Sequence, residues 1–231
     1  MQPYVALIGA LLAAGSHHGG NQQARPAYVI NQVVTNKKVV GLTFDDGPSK
    51  KWTPEILRVL KSDHVRATFF VIGSHAVRRP QLIREEVKSG MEIGSHGSQH
   101  LTLRNQSEQA IRTEIEDNAE TLKALGAPAP TLYRLPGGIS DRTALKVLGQ
   151  FHYHLVGWTI DTRDWRRVYS AATMAKKVER SIEPGSIIIF HDGPNSSQQT
   201  VQAVKQIIPA LRKMGYRFDT VGQMLKLEKQ H

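Results

Sequence analysis

The chain contains no cysteine, so it builds no disulfide, no thiolate nucleophile and no cysteine-ligated zinc site. That absence suits an oxidising or a reducing compartment and selects neither. Acidic residues are outnumbered: 20 Asp and Glu face 30 Lys and Arg, a formal charge of +10 at pH 7. A surface of that sign favours polyanions, whether nucleic acid, anionic lipid or an acidic cell-wall polymer. The positive residues are scattered, however, with short clusters at Arg78-Arg79, Arg163 to Arg167 and Lys176-Lys177. No concentrated basic patch with interleaved aromatics is present, which counts against a nucleic-acid partner.

A long hydrophobic run is also missing. Tyr4 to Ala14 is apolar for about eleven residues, too short for a typical membrane span and close to a signal-peptide core. No Lys or Arg precedes it, and Ala13-Ala14-Gly15 offers small residues for cleavage. Residues 15–36 are rich in Gly, Asn, Gln and His and read as a linker. Residues 1–36 are therefore expected to be a leader, cleaved or kept as an N-terminal anchor, and a linker. Residues 37–231 are expected to form one domain, placed outside the cell, in the wall or periplasm. No internal repeat is evident.

From Lys38 onward, short β-branched or aromatic runs alternate with longer helical stretches. Strands are expected at Val39–Phe44, Ala67–Ile72, Glu92–Ser95, Leu132–Arg134, Tyr153–Thr159, Ser186–Phe190 and Tyr216–Asp219. Helices are expected near 53–62, 80–89, 107–125, 141–150, 171–181, 197–214 and 220–228. Thr53-Pro54 and Arg79-Pro80 place proline at a first helical position, and Ser107 is a plausible cap. About seven strand–helix units predict an α/β fold with a parallel sheet. Their unequal lengths point to a distorted (β/α) barrel, with an open doubly wound sheet as the alternative.

In such a barrel, chemistry gathers at the C-terminal ends of strands. The unusual polar residues fall there. Asp45 and Asp46 end the first expected strand, and His96 and His100 follow the third. Arg134-Leu135-Pro136-Gly137-Gly138 ends the fourth, Asp161 and Asp164-Trp165 follow the fifth, and His191-Asp192 ends the sixth. Two imidazoles with one carboxylate make a hydrolytic metal site with room for water, leaving a second carboxylate as base. The His96–His100 spacing also occurs in helical zinc proteases, but those need Glu after the first His, and Gly97 stands there. His152 and His154 read as packing or surface groups, His64 and His75 show no partner signal, and Trp158 reads as core. Trp52 is a candidate for the rim of a groove, and Arg163, Arg166 and Arg167 for contact with an acidic polymer.

Taken together, the runs TFDDGPS, SHGSQH, RLPGG, DTRDW and IIIFHD resemble the five motifs of the polysaccharide deacetylases, carbohydrate esterase family 4. The resemblance spans roughly residues 38 to 228. It implies Asp46, His96 and His100 as ligands of one divalent metal, zinc first, with cobalt, nickel or manganese as alternatives. It implies Asp45 as general base, held by Arg134, and His191 as general acid, tuned by Asp164. Gly137 would supply an oxyanion N–H, with Pro136, Trp165 and Ile189 at the substrate. The third motif commonly reads RPPYG in the family, so Gly137 stands where an aromatic often does. The resemblance implies removal of acetyl groups from N-acetylglucosamine in peptidoglycan or chitin-like oligomers, and the charge favours an anionic wall polymer. Alternatives are an O-acetyl xylan esterase, a small-amide hydrolase, or an inactive glycan-binding protein.

Overall fold

A computed structural model describes residues 28–227, and residues 1–27 of the expected leader lie outside them. The chain runs β1 (Val29–Ile30), β2 (Val39–Gly47), α1 (Trp52–Ser62), β3 (Thr68–Val71), α2 (Gly73–Arg78), α3 (Pro80–Lys88) and β4 (Glu92–Ser95). It continues through α4 (Glu108–Ala124), β5 (Leu132–Tyr133), α5 (Arg142–Gln150), β6 (His154–Val156) and β7 (Ile160–Asp161). It ends with α6 (Ala171–Ser181), β8 (Ile187–His191), α7 (Gln198–Lys213), β9 (Arg217–Phe218) and α8 (Val221–Leu225). The strands follow the order β1-β6-β5-β4-β3-β2-β8-β7, with β9 on β2, and every ladder is parallel. This is a distorted (β/α) barrel.

Alternation along β2 sets the layers. Val40, Leu42 and Phe44 join the helix-facing core with Ile56, Leu60, Val204 and Ile207. Phe44 stacks between Phe69 at 5.0 Å and Phe190 at 5.9 Å. Val39 belongs instead to the interior cluster with Phe70, Leu132, Val156 and Ile187, plugged from α8 by Val221 and Met224. Thr43 and Asp45 share the parity of Val39, so both carry polar groups into the barrel.

Three departures from the sequence reading bear on the site. Residues 28–36 are not linker: β1 pairs with β6, and Val33 is fully buried. This segment also spans the seam between β6 and β8. Thr159 Oγ1 donates to the Asn31 carbonyl at 2.6 Å, and the Val33 N–H donates to the Gly185 carbonyl at 3.0 Å. The expected strand Tyr153–Thr159 stops at Val156, and Gly157-Trp158 swings out before β7 begins. The loop after β3 holds an unexpected short helix, α2.

Candidate active site

The first site element is a bulge. Register between β2 and β3 shifts between Asp45 and Gly47, leaving Asp46 as the extra residue at φ 71°. A regular strand would send adjacent carboxylates to opposite faces, and the bulge turns both to one pocket. A side chain at Gly47 would strike the Asp192 carboxylate, so glycine is required where the strand turns. His75 fixes the bulge by donating from Nδ1 to the Asp46 carbonyl at 2.8 Å.

Asp46, His96 and His100 bring one ligand atom each within 4.8 Å of one another. Oδ1 of Asp46 lies 3.4 Å from His96 Nε2 and 3.3 Å from His100 Nε2. Burial favours the neutral acid at Asp46, but His100 and His96 outweigh it and hold the carboxyl well below the usual range. His96 Nδ1 donates to the Arg134 carbonyl at 2.8 Å, which leaves the Nε2 lone pair facing Asp46. Two imidazole nitrogens and one carboxylate, pre-aimed at a common point, fit a borderline divalent ion such as zinc.

On one flank stands Asp45, 2% exposed, with Oδ1 accepting from Arg134 Nη1 at 2.7 Å. Arg134 is fully buried and donates also to Thr43 Oγ1 and the carbonyls of Val156 and Gly157. Its guanidinium lies 4.1 Å from the Phe70 ring centroid, stacked in the interior. On the other flank, His191 Nδ1 donates to Asp164 Oδ1 at 2.8 Å. Asp164 is held in turn by the His191 N–H and Thr200 Oγ1 on Oδ2. That leaves His191 Nε2 for the pocket. Burial pulls the His191 pKa down, but the Asp164 hydrogen bond and the nearby carboxylates prevail and push it up to about 9.

Asp45, Asp46, His96, His100 and His191 line a cleft of about 480 Å³. Gly137, Trp165 and Ile189 line it, with Trp165 46% exposed on the rim. Gly137 sits at φ 64°, and its N–H enters no hydrogen bond among the described residues. Pro136 differs from expectation: it is buried under the turn, away from the lining. Trp158, expected in the core, packs against the interior cluster and also lines the cleft, because β6 ends before it. Trp52 packs on the helix layer with Lys51 4.2 Å over its ring, and is not on the cleft. Arg167 is consumed by the carbonyls of Asn195, Pro194 and Ser196, and Arg166 stacks on Trp165.

Glu114 carries no motif yet organises the loop between the two histidines. Its Oε1 accepts from the Gln99 N–H at 2.8 Å and the Leu101 N–H at 2.9 Å, one on each side of His100. A side chain at Gly97 would collide with that carboxylate. The available signal was a carboxylate on the apolar face of α4, among Ile111, Ile115, Asn118 and Leu122.

A carboxylate–imidazole cluster able to hold a metal on the C-terminal rim of a (β/α) barrel, flanked by a held aspartate and a held histidine, fits a hydrolase of the metal-assisted class. Comparison narrows it. Residues 32–156 match the family model described as polysaccharide deacetylase. The chain is 36% identical over 201 residues to a peptidoglycan-N-acetylglucosamine deacetylase of Bacillus cereus, covering 86% of this chain and 93% of that one. It is 32% identical over 203 residues to a chitooligosaccharide deacetylase of Bradyrhizobium, covering 83% and 92%. The crystal structure of a peptidoglycan N-acetylglucosamine deacetylase bound to a naphthalenyl N-oxidanyl-benzamide superposes with a TM-score of 0.82 at 36% identity, over 87% of this chain and 94% of that one. The chain belongs to the polysaccharide deacetylase family.

Proposed function

We propose that this protein is a metal-dependent hydrolase that removes acetyl groups from N-acetylglucosamine units of a glycan, peptidoglycan or a chitin-like oligomer. The observation that carries this is the three-ligand cluster of Asp46, His96 and His100 between a held base and a held acid. The relatives named as peptidoglycan and chitooligosaccharide deacetylases support the substrate class. Zinc is the proposed ion. The charge of +10 supports an anionic wall polymer, and the apolar run at Tyr4 to Ala14 supports export.

Asp46, His96 and His100 would hold the ion. Bound there, it would acidify a water molecule and offset negative charge on the acetamide carbonyl oxygen. Asp45 takes the proton of the attacking water, with Arg134 keeping the carboxylate oriented. The Gly137 N–H is free to receive the oxygen on which charge develops. His191 gives its Nε2 proton to the departing nitrogen as the C–N bond breaks, and Asp164 stabilises the imidazolium beforehand. Products are acetate and the free amine. Trp165 and Ile189 wall the acetyl methyl.

The test is acetate release by the zinc-loaded protein from chitopentaose, peptidoglycan fragments and acetylated xylan in parallel. Release from the first two supports the proposal. Release from xylan alone makes the protein an O-acetyl esterase, and release from none refutes a deacetylase.

A further inference from the structure

Basic residues that lie scattered in the sequence gather at one end of the barrel. The strands are parallel and the helices run back along them, so helix C-termini and strand starts share the base, opposite the catalytic rim. Lys61 and Lys88 fall in the last turns of α1 and α3, and Arg212 and Lys213 in the last turn of α7. Lys38, Arg66 and Arg217 stand where β2, β3 and β9 begin. Between Lys50 and Met91 the sequence has nine Lys and Arg against four Asp and Glu, and one of those four, Glu86, is buried.

These groups form one continuous surface. A groove of about 550 Å³ between α1 and α3 is lined by Lys61, Gln81, Arg84, Glu85, Lys88 and Ser89. Arg66 lies beside Gly90, past the end of α3, and reaches Asp219 at 3.6 Å, which Arg217 also meets at 3.0 Å. Arg212 donates to the carbonyl of Asp63, the C-cap of α1, and Lys38 donates to the Met214 carbonyl at 3.0 Å. Eight cations are exposed along this surface, whereas the three carboxylates among them, Asp63, Glu85 and Asp219, are half-buried. Arg84, Lys88 and Lys213 take part in none of the ion pairs those carboxylates make.

Cations in a last turn offset the partial negative charge of their own helix. That accounts for Lys61, Lys88, Arg212 and Lys213. It does not account for Lys38, Arg66 and Arg217, which stand outside helices, or for Arg84 in the middle of α3. The excess charge repels itself, a cost that a bound polyanion removes. Among the described residues, the exposed Phe, Tyr or Trp side chains are Tyr28, beside the edge strand β1, and Trp165 on the rim. No such ring at the base stacks on nucleobases or anchors in a lipid layer. Four of the eight cations are arginines, whose forks take two phosphate oxygens at once. We propose that the base of the barrel docks a linear, phosphate-bearing wall polymer and holds the enzyme there while the cleft at the other end works on a separate glycan chain. Placing that polymer in the wall rests on the glycan reading above.

The experiment measures binding of fluorescent polyphosphate to the zinc-loaded protein at rising salt. Affinity is expected to fall by about fiftyfold across a fourfold rise in salt, the response of about four neutralised phosphates on a single strand. Arg84→Glu with Lys88→Glu is expected to weaken binding by about tenfold, and Arg84→Gln with Lys88→Gln by less. Acetate release from chitopentaose should be unchanged in both, since neither residue lines the cleft. Arg142→Glu with Lys146→Glu makes the same change in net charge on the exposed face of α5 and should leave most of the affinity in place. Absence of binding by the parent at low salt, or equal losses in the two reversed pairs, overturns the inference. Tighter binding to phosphatidylglycerol vesicles, single-stranded DNA or polyglutamate than to polyphosphate overturns it as well. None of these readings needs turnover, so acetate release by the parent protein shows separately whether the deacetylase reading stands.

Discussion

Arg134 and Asp45 meet at 2.7 Å across the barrel interior, with Arg134 fully buried and Asp45 nearly so. The guanidinium fork also ties β2 to the end of β6 through Thr43, Val156 and Gly157. Arg134→Ala strands a buried carboxylate and two carbonyls. It should cost about 3–5 kcal/mol of stability, measured by urea unfolding. Arg134→Lys keeps the charge but not the fork, so it should retain more stability yet lose orientation of Asp45 and hence kcat.

Glu114 gives a second prediction. Glu114→Ala frees the N–H groups on both sides of His100 and should weaken zinc binding by about 10–100-fold, read by competition with a chelating dye. Glu114→Gln still offers an oxygen acceptor and should recover most of that affinity. Equal affinities in all three proteins would show that the loop holds itself.

The pH profile tests His191. Its pKa is raised from 6.5 to about 9, so a proton donor there is charged below that value and spent above it. kcat on an acetamide should hold on the acid side and fall as pH rises through the His191 pKa. A bound dication opposes the nearby carboxylates and moves that limb lower, and Asp164→Asn should move it lower still. Stability follows the same sign: the contribution is complete below the unfolded value and is lost as pH climbs through the folded one. His191→Ala should slow acetamide cleavage more than cleavage of an activated ester, whose leaving group needs less protonation. Equal losses would count against the acid role.

Much of this site was legible before the fold. The adjacent carboxylates, the paired imidazoles, Asp161 and His191 line one cleft, with Arg134 and Asp164 held behind it, because strand ends converge on the rim of a barrel. What was not legible depends on contacts distant in sequence. Asp46 turns inward through a bulge whose register is set by β3. Trp158 extends from the edge of the core to the cleft because β6 stops at Val156, inside a run that reads as continuous strand. Residues 28–36 look like linker by composition, yet edge pairing with β6 makes them structure. Glu114 was hidden because its partners are backbone N–H groups, which no motif records.

Glu86 supplies a stability prediction. It is fully buried on α3, and neither carboxyl oxygen has a partner among the described residues. Burial pushes its pKa well above the ordinary carboxyl value, with the Asp192 charge adding to the shift. A raised carboxyl pKa means stability is lost as pH rises through the folded value. Glu86→Met should raise the melting temperature, by more at pH 9 than at pH 5.

The most direct measurement is acetate release and bound zinc, determined together, for the parent protein and Asp45→Asn on chitopentaose. Asp45 lies outside the cluster of Asp46, His96 and His100 proposed to hold the ion, so the variant should bind one zinc per chain as the parent does and lose about 10²–10⁴ in turnover. Near-parental turnover with zinc bound would contradict Asp45 as the base, and with it the proposed chemistry of this cleft.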